Sequence, residues 1–217
     1  MSVIPAHVGS LSIAGEPEEF VNAEAVPAPG FTGTEYRITD PARRRLSPGV
    51  PSFVEVSPDG DMDAAAWVPA EAIVDPLFGF VYLTTAPGPS ALVRVSGASL
   101  PVQPVALVRS LSLSVTNDVV ELQVMGDGYK RRAVSLRDFS GELVGLTALD
   151  VRFEDEAPLL VEVSKGAGSE VFRAWVKVPE LAHKLTPGAL YEHTVKFIGH
   201  AYPTGSGAAI AWGYGTP

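Results

Sequence analysis

VVELQVMGDGYKRRAVSLRDFSGELVG, residues 119–145, decides how this chain is read. Apolar and polar residues alternate from Val119 to Met125, with Glu121 and Gln123 between apolar neighbours. A period of two sends successive side chains to opposite faces of an extended strand. Gly126-Asp127-Gly128 is turn chemistry. Lys130-Arg131-Arg132 opens the return, and Ala133 to Leu136 and Phe139 to Leu146 read as two further strands separated by an aspartate step. Nothing in the stretch is arranged for catalysis. It reads as a hairpin exposed on both faces in a single copy and covered in an assembly.

The same period extends upstream. In Arg109 to Thr116 apolar residues fall at 111, 113 and 115 with serines between, so one face is apolar and the other small and polar. Asn117-Asp118 is expected to close that strand. Downstream, Thr147 to Glu156 offers Leu149 and Phe153 four residues apart before Pro158, the pattern of one short helix. Leu159 to Val163, Val171 to Val178 and Leu190 to Ile198 read as strands, with a turn at Gly166 to Ser169 and a glycine-rich tail from Thr204 to Pro217. Toward the N-terminus, Val26 to Gly30 reads as a loop. Tyr36 to Thr39, Phe53 to Val56, Ala72 to Asp75, Leu77 to Thr84 and Leu92 to Ser96 read as successive hairpin strands. The expectation is an all-β fold in a single domain, 1–217, with a hairpin-rich extension or sub-domain at about 31–103.

Composition sets the limits of function. Of 217 residues 46% are hydrophobic, enough for a substantial core, and 19% are charged, below the usual quarter. Part of the surface is therefore expected to be covered by other copies. The 21 glycines and 19 prolines punctuate the chain often, as all-β folds require. A net charge of −9 argues against general nucleic-acid binding, which needs a surplus of lysine and arginine. Without cysteine there is no disulfide, thiolate ligand or thiol nucleophile. The first residues lack the pattern of a secretory signal, and no apolar run is long enough for a membrane helix.

Motifs of known chemistry fail on their own requirements. Asp59, Asp61 and Asp63 alternate like a calcium loop, but Ala64 stands where glycine is needed and Ala70 where a bidentate glutamate is needed. His7, His183, His193 and His200 have no zinc-hydrolase spacing, and there is no Gly-x-Ser-x-Gly or Gly-x-Gly-x-x-Gly. No enzyme, metal or cofactor is expected. Arg43-Arg44-Arg45 reads either as a solvated turn flank or as a patch that docks on a neighbour. Lys130, Arg131 and Arg132 read either as a solvated strand edge or as the partner of Glu154, Asp155 and Glu156 in an adjacent copy.

Two regions carry a resemblance to the major tail tube proteins of long-tailed, siphophage-type bacteriophages. The first is Leu111 to Gly145, above all Tyr129-Lys130-Arg131 and Leu136-Arg137-Asp138-Phe139-Ser140-Gly141-Glu142. The second runs from Phe172-Arg173-Ala174-Trp175-Val176 through Glu180-Leu181-Ala182-His183 and Pro187-Gly188 to Tyr191–Gly199. Block 36–96 is similar to an extension found in some members. The resemblance implies a β-sandwich or half-barrel with a flanking helix, six copies closing into a ring, and rings stacking into the tube that conducts DNA. A trimer of duplicated domains remains open. On this reading Ser110, Ser112, Ser114, Glu121 and Gln123 face the lumen, where DNA slides past without specific binding. Arg43 to Arg45, Lys130 to Arg132 and Glu154 to Glu156 serve contacts between subunits or rings. The implied partners are further copies and the tape-measure, tail-terminator and distal-tail proteins, in a virion assembled in the host cytoplasm, with no membrane. Two alternatives stand beside it. One is a β-sandwich binding module of a fibre or baseplate, with Trp67, Tyr82, Trp175 and Trp212 as candidate platform residues, although Trp175, inside a long strand, reads as core. The other is a tube protein of the contractile-tail or type VI secretion kind.

Overall fold

A computed structural model describes residues 10–30, 33–63, 66–104, 108–122, 131–145, 159–164, 170–184, 192–203 and 209–216. The first strands are β1 (Ser10–Ala14), β2 (Glu18–Pro27), β3 (Glu35–Ile38), β4 (Phe53–Ser57), β5 (Val68–Pro69), β6 (Ala72–Asp75), β7 (Phe80–Leu83), β8 (Leu92–Ser99) and β9 (Val102–Pro104). Then come β10 (Val108–Leu122), β11 (Arg131–Gly145), β12 (Leu159–Ser164), β13 (Val171–Lys184), β14 (Glu192–Gly199), β15 (Tyr202–Pro203), β16 (Ala209–Ile210) and β17 (Trp212–Gly215). Apart from one 3-10 turn, Pro41–Arg43, the described residues hold no helix, and the sheets curl as half-barrels. The fold is mainly β, as the alternation requires. The helix expected at 147–156 lies outside the described residues.

The chain divides into two compact units. One is Met1–Val105, Glu156–Trp175 and Ala201–Pro217; the other is Ala106–Asp155 and Val176–His200. Strands β3 to β8, inside the expected extension at 31–103, share a sheet with β2.

In the first unit a seven-stranded sheet has the order β5-β4-β8-β2-β3-β7-β6. Its inward rows are in register: Val54 opposite Val95 and Ala23, and Val56 opposite Val93, Ala25 and Ile38. Val93, Val95, Ile38 and Val81 are essentially sealed from water. The outward row is charged, with Arg94 bound to Glu55 at 2.8 Å and stacked 4.2 Å from the Trp67 ring.

A second cluster joins Leu77, Phe78, Leu100, Leu160 and Trp175. Trp175 is wholly buried, so it cannot serve as a platform. Leu77 to Gly79 is a turn, not the start of the strand expected at Leu77 to Thr84. The Asp75 carboxylate accepts from the Leu77 amide at 2.8 Å, and Gly79 takes a φ of 67°. A Cβ at Gly79 would stand 2.8 Å from the Arg44 Cα, which is why glycine sits there. Strands β9, β1, β12 and the start of β13 form the unit's other sheet, with β17 added to β13 at Val171–Ala174.

In the second unit β10 pairs with β11, β11 with β14, and β14 with the later part of β13, all antiparallel. Strands β10 and β11 are each 15 residues long, against a mean near 5–6. Asn117-Asp118 does not close β10, and the Asp138 step does not break β11. An extra residue of β11 is absorbed as a bulge opposite Asn117 to Val119, so the ladder continues past both.

Glycine and aromatic residues pair across these strands. Gly141 lies opposite Phe197 and Gly145 opposite His193, each with the ring so close that a Cβ has no room. Gly199 lies close to Phe139, where a Cβ would stand 3.1 Å from the Phe139 Cβ, and the Phe139 and Phe197 rings lie 5.9 Å apart. Rings laid over strand glycines fill the space of the missing side chains and pin the register. His193 is therefore a packing residue, and His200 is exposed.

Candidate assembly surface

The ribbon of β10 and β11 carries a row of half-exposed apolar residues along a long strand. At about 3.3–3.4 Å per residue, 15 residues reach roughly 50 Å. Leu111, Leu113 and Val115 share a face with Leu143, Gly141 and Phe139 directly across the ladder. On that face burial falls outward. Phe197, Val195, Phe139 and Leu143 are buried, whereas Leu113 is 41%, Val115 45% and Val119 54% exposed. Every residue from Ser112 to Val119 is exposed, so the strand is wet on both faces. Among the described residues β10 pairs with β11 alone, and its other edge carries no strand.

The opposite face is polar. Ser110, Ser112 and Ser114 lie there, all exposed, across from Val144, Glu142 and Ser140, with Thr116 across from Asp138. Glu142 is followed by Lys196 on β14, and Lys196 is held by Glu180 at 2.9 Å. The Glu180 carboxylate raises the Lys196 ammonium above its ordinary value. This face thus mixes short hydroxyls and carboxylates with Lys196, Lys177 and Ile198, the last 46% exposed.

The expected lumen set does not share one face. Strand β10 runs without insertion from Ser110 to Leu122, so strict alternation places Glu121 on the apolar side, away from the three serines. The difference from the sequence reading is that Asn117-Asp118 does not interrupt the strand. Gln123 lies outside the described residues, as do Lys130, Glu154, Asp155 and Glu156. Arg131 and Arg132 begin β11, at register positions opposite Leu122 and Glu121.

The three arginines of the turn are engaged within the chain. Arg43 pairs with Asp40 at 3.3 Å and lies over the Phe20 ring, although 40% of its side chain remains exposed. Arg44 donates to the carbonyls of Ile38 and Thr39 at 2.8 and 3.0 Å. Arg45 binds Glu162 at 2.8 Å.

Glu162 is the centre of a cluster that sequence reading missed. Arg173, with no exposed surface, donates to Glu162 at 2.7 Å and to the Leu77 carbonyl at 2.6 Å, its guanidinium lying over Phe78. Burial pushes the Glu162 carboxyl upward, but the Arg45 hydrogen bond and the charges of Arg173 and Arg45 outweigh it, leaving the group below the usual carboxylate range. Asp75 is shifted the other way: burial raises it, against the Leu77 and Phe78 amides and the charge of Arg173. The cluster pairs its charges internally and ties separate segments of the first unit, although the buried Arg173 Nη2 has no hydrogen-bond partner. It is a structural clamp. The sequence signal was only a charged residue at alternate parity inside the apolar run Val171 to Val176.

Among the described residues no three histidines or carboxylates come together as a metal site, and no helix is long and apolar enough to cross a membrane. No protein-family model matches the chain, and no curated protein matches it.

Proposed function

We propose that the chain is a structural subunit that assembles with copies of itself through the β10–β11 ribbon, forming stacked rings of a phage-type tail tube that conducts DNA. The observation that carries this reading is the 15-residue strand with an edge that no other described strand pairs with and exposed residues on both faces. A long unprotected edge recruits another strand. Covering Leu113, Val115 and Val119 against a neighbouring copy contributes about 1 kcal/mol each. Head-to-tail repetition of such a contact closes a ring, and many strands side by side enclose an open channel. The serine face, with Glu142 and Asp138 beside it, suits a lumen that DNA passes without sticking, since carboxylates and hydroxyls release no phosphate counterions.

Negative-stain electron microscopy of the concentrated chain tests the reading. Rings with an open centre, stacking into tubes, are expected. Particles that never progress beyond monomers or closed pairs, at any concentration or with added tail components, overturn it.

A further inference from the structure

Strand β10 is self-complementary, and we propose that in unassembled protein two copies pair β10 against β10 in an antiparallel, two-fold contact centred on Val115. This pair goes beyond the ring contact and stands on the strand itself, whether or not rings form.

The argument begins with register. The midpoint of Val108–Leu122 is Val115, so full overlap of two antiparallel strands places Val115 opposite its own copy. Leu111 then meets Val119, and Leu113 meets Asn117. All of these are odd positions, so apolar face meets apolar face and the serine face stays with the serine face. On the other side Ser114 meets Thr116 and Ser112 meets Asp118. No two like charges are juxtaposed, and Arg109, at the irregularity between Val108 and Ser110, lies at the end of the overlap. Arg109 binds Glu192 within the chain yet keeps 62% of its side chain exposed, so it remains at the edge of the contact. Sliding the register three residues toward the C-terminal end centres it on Asp118 and sets two carboxylates face to face. A shift of a single residue in one strand would put odd positions against even ones, setting Leu113 opposite Asp118 or Thr116. Full overlap is thus the register that joins the most ladder positions without a conflict of face or charge.

A two-fold contact of this kind is closed: it uses the same edge of both copies and leaves none for a third. It therefore covers the edge until a different, head-to-tail contact replaces it, and it protects a long exposed strand from indiscriminate pairing.

The chain has no cysteine, so engineered thiols report the register cleanly. In antiparallel pairs directly opposed Cα atoms are about 4.5–5.5 Å apart, inside the span a disulfide bridges. Full-length Val115→Cys, oxidised with oxidised glutathione, is expected to give a covalent dimer that reductant reverses. Leu111→Cys and Ser114→Cys, which face Val119 and Thr116 of the partner, stay uncoupled. The double variant Leu111→Cys/Val119→Cys couples again. Val115→Cys remaining monomeric, or all single variants coupling alike, overturns the proposal. Circular dichroism of each variant confirms that the fold is retained. Cross-linking with this pattern but without rings counts against the tube reading alone; rings without this pattern count against the pair alone.

Discussion

The seven-stranded sheet of the first unit and the ribbon of the second are written in the same alternating code but finish differently. In the sheet, inward valines on β4 and β8 meet partners from neighbouring strands and fall to between 0% and 7% exposure. Its edges are short: β5 has two residues, one of them Pro69, and β6 has four. In the ribbon the same alternation on β10 leaves Leu113 and Val115 at 41% and 45% exposure, on an edge that no other described strand covers and that has neither proline nor lysine. Charge divides likewise. The first unit holds 15 of the 25 acidic and 7 of the 16 basic residues, a net −8, whereas the second holds 10 and 9, a net −1. Repulsion between copies is weakest where the open edge lies. An alternating strand specifies which face is apolar, but only its neighbours decide whether that face is dry.

If the first unit is self-sufficient, its substitutions should change stability, and those on β10 should change association. The largest loss is expected at the clamp. Glu162→Leu strands Arg173 and Arg45 without a counterion and should cost about 3–5 kcal/mol in urea unfolding, the usual price of leaving a buried charge unpaired. Gly79→Ala forces a side chain into a positive φ and against the Arg44 backbone, for a loss of roughly 1–3 kcal/mol by the same measurement.

The pH dependence comes next. Glu162, lower in the folded state, contributes stability above its unfolded value of about 4.3, and this is lost as pH falls through the folded value. Asp75, raised by burial, opposes folding when charged and is relieved as pH falls. Unfolding followed from neutral pH into acid should therefore show a flatter decline in Glu162→Gln and a steeper one in Asp75→Asn. The smallest effect on stability, within about 0.5 kcal/mol, is expected for Leu113→Thr/Val115→Thr, because both sites are already wet. That variant should nonetheless lose association in sedimentation velocity. A large loss of stability instead would mean that β10 belongs to a finished core.

The sheets were legible because their period of two needs only local sequence. Val93, Val95, Val54 and Val56 announced an inward face, and Leu111, Leu113 and Val115 announced an apolar one. What could not be read was long-range. Arg45, Glu162 and Arg173 come from three separate segments, and no spacing links them. Asn117-Asp118 and the Asp138 step looked like strand ends because those residues are depleted in strands, yet a bulge in the partner strand absorbs the irregularity. Read through without a break, β10 puts Glu121 at the same parity as Leu111, Leu113 and Val115. Gly141 and Gly145 were visible as glycines within a strand, but the rings of Phe197 and His193 that need them lie some fifty residues on.

Hydrogen exchange of the full chain over a wide range of protein concentration measures the free edge most directly. Amides of β10 that point away from β11 should exchange fast in dilute protein and become protected as concentration rises, while the seven-stranded sheet stays protected throughout. Amides of β10 that remain fast at every concentration, in a chain that stays monomeric, would contradict completion of this strand by other copies.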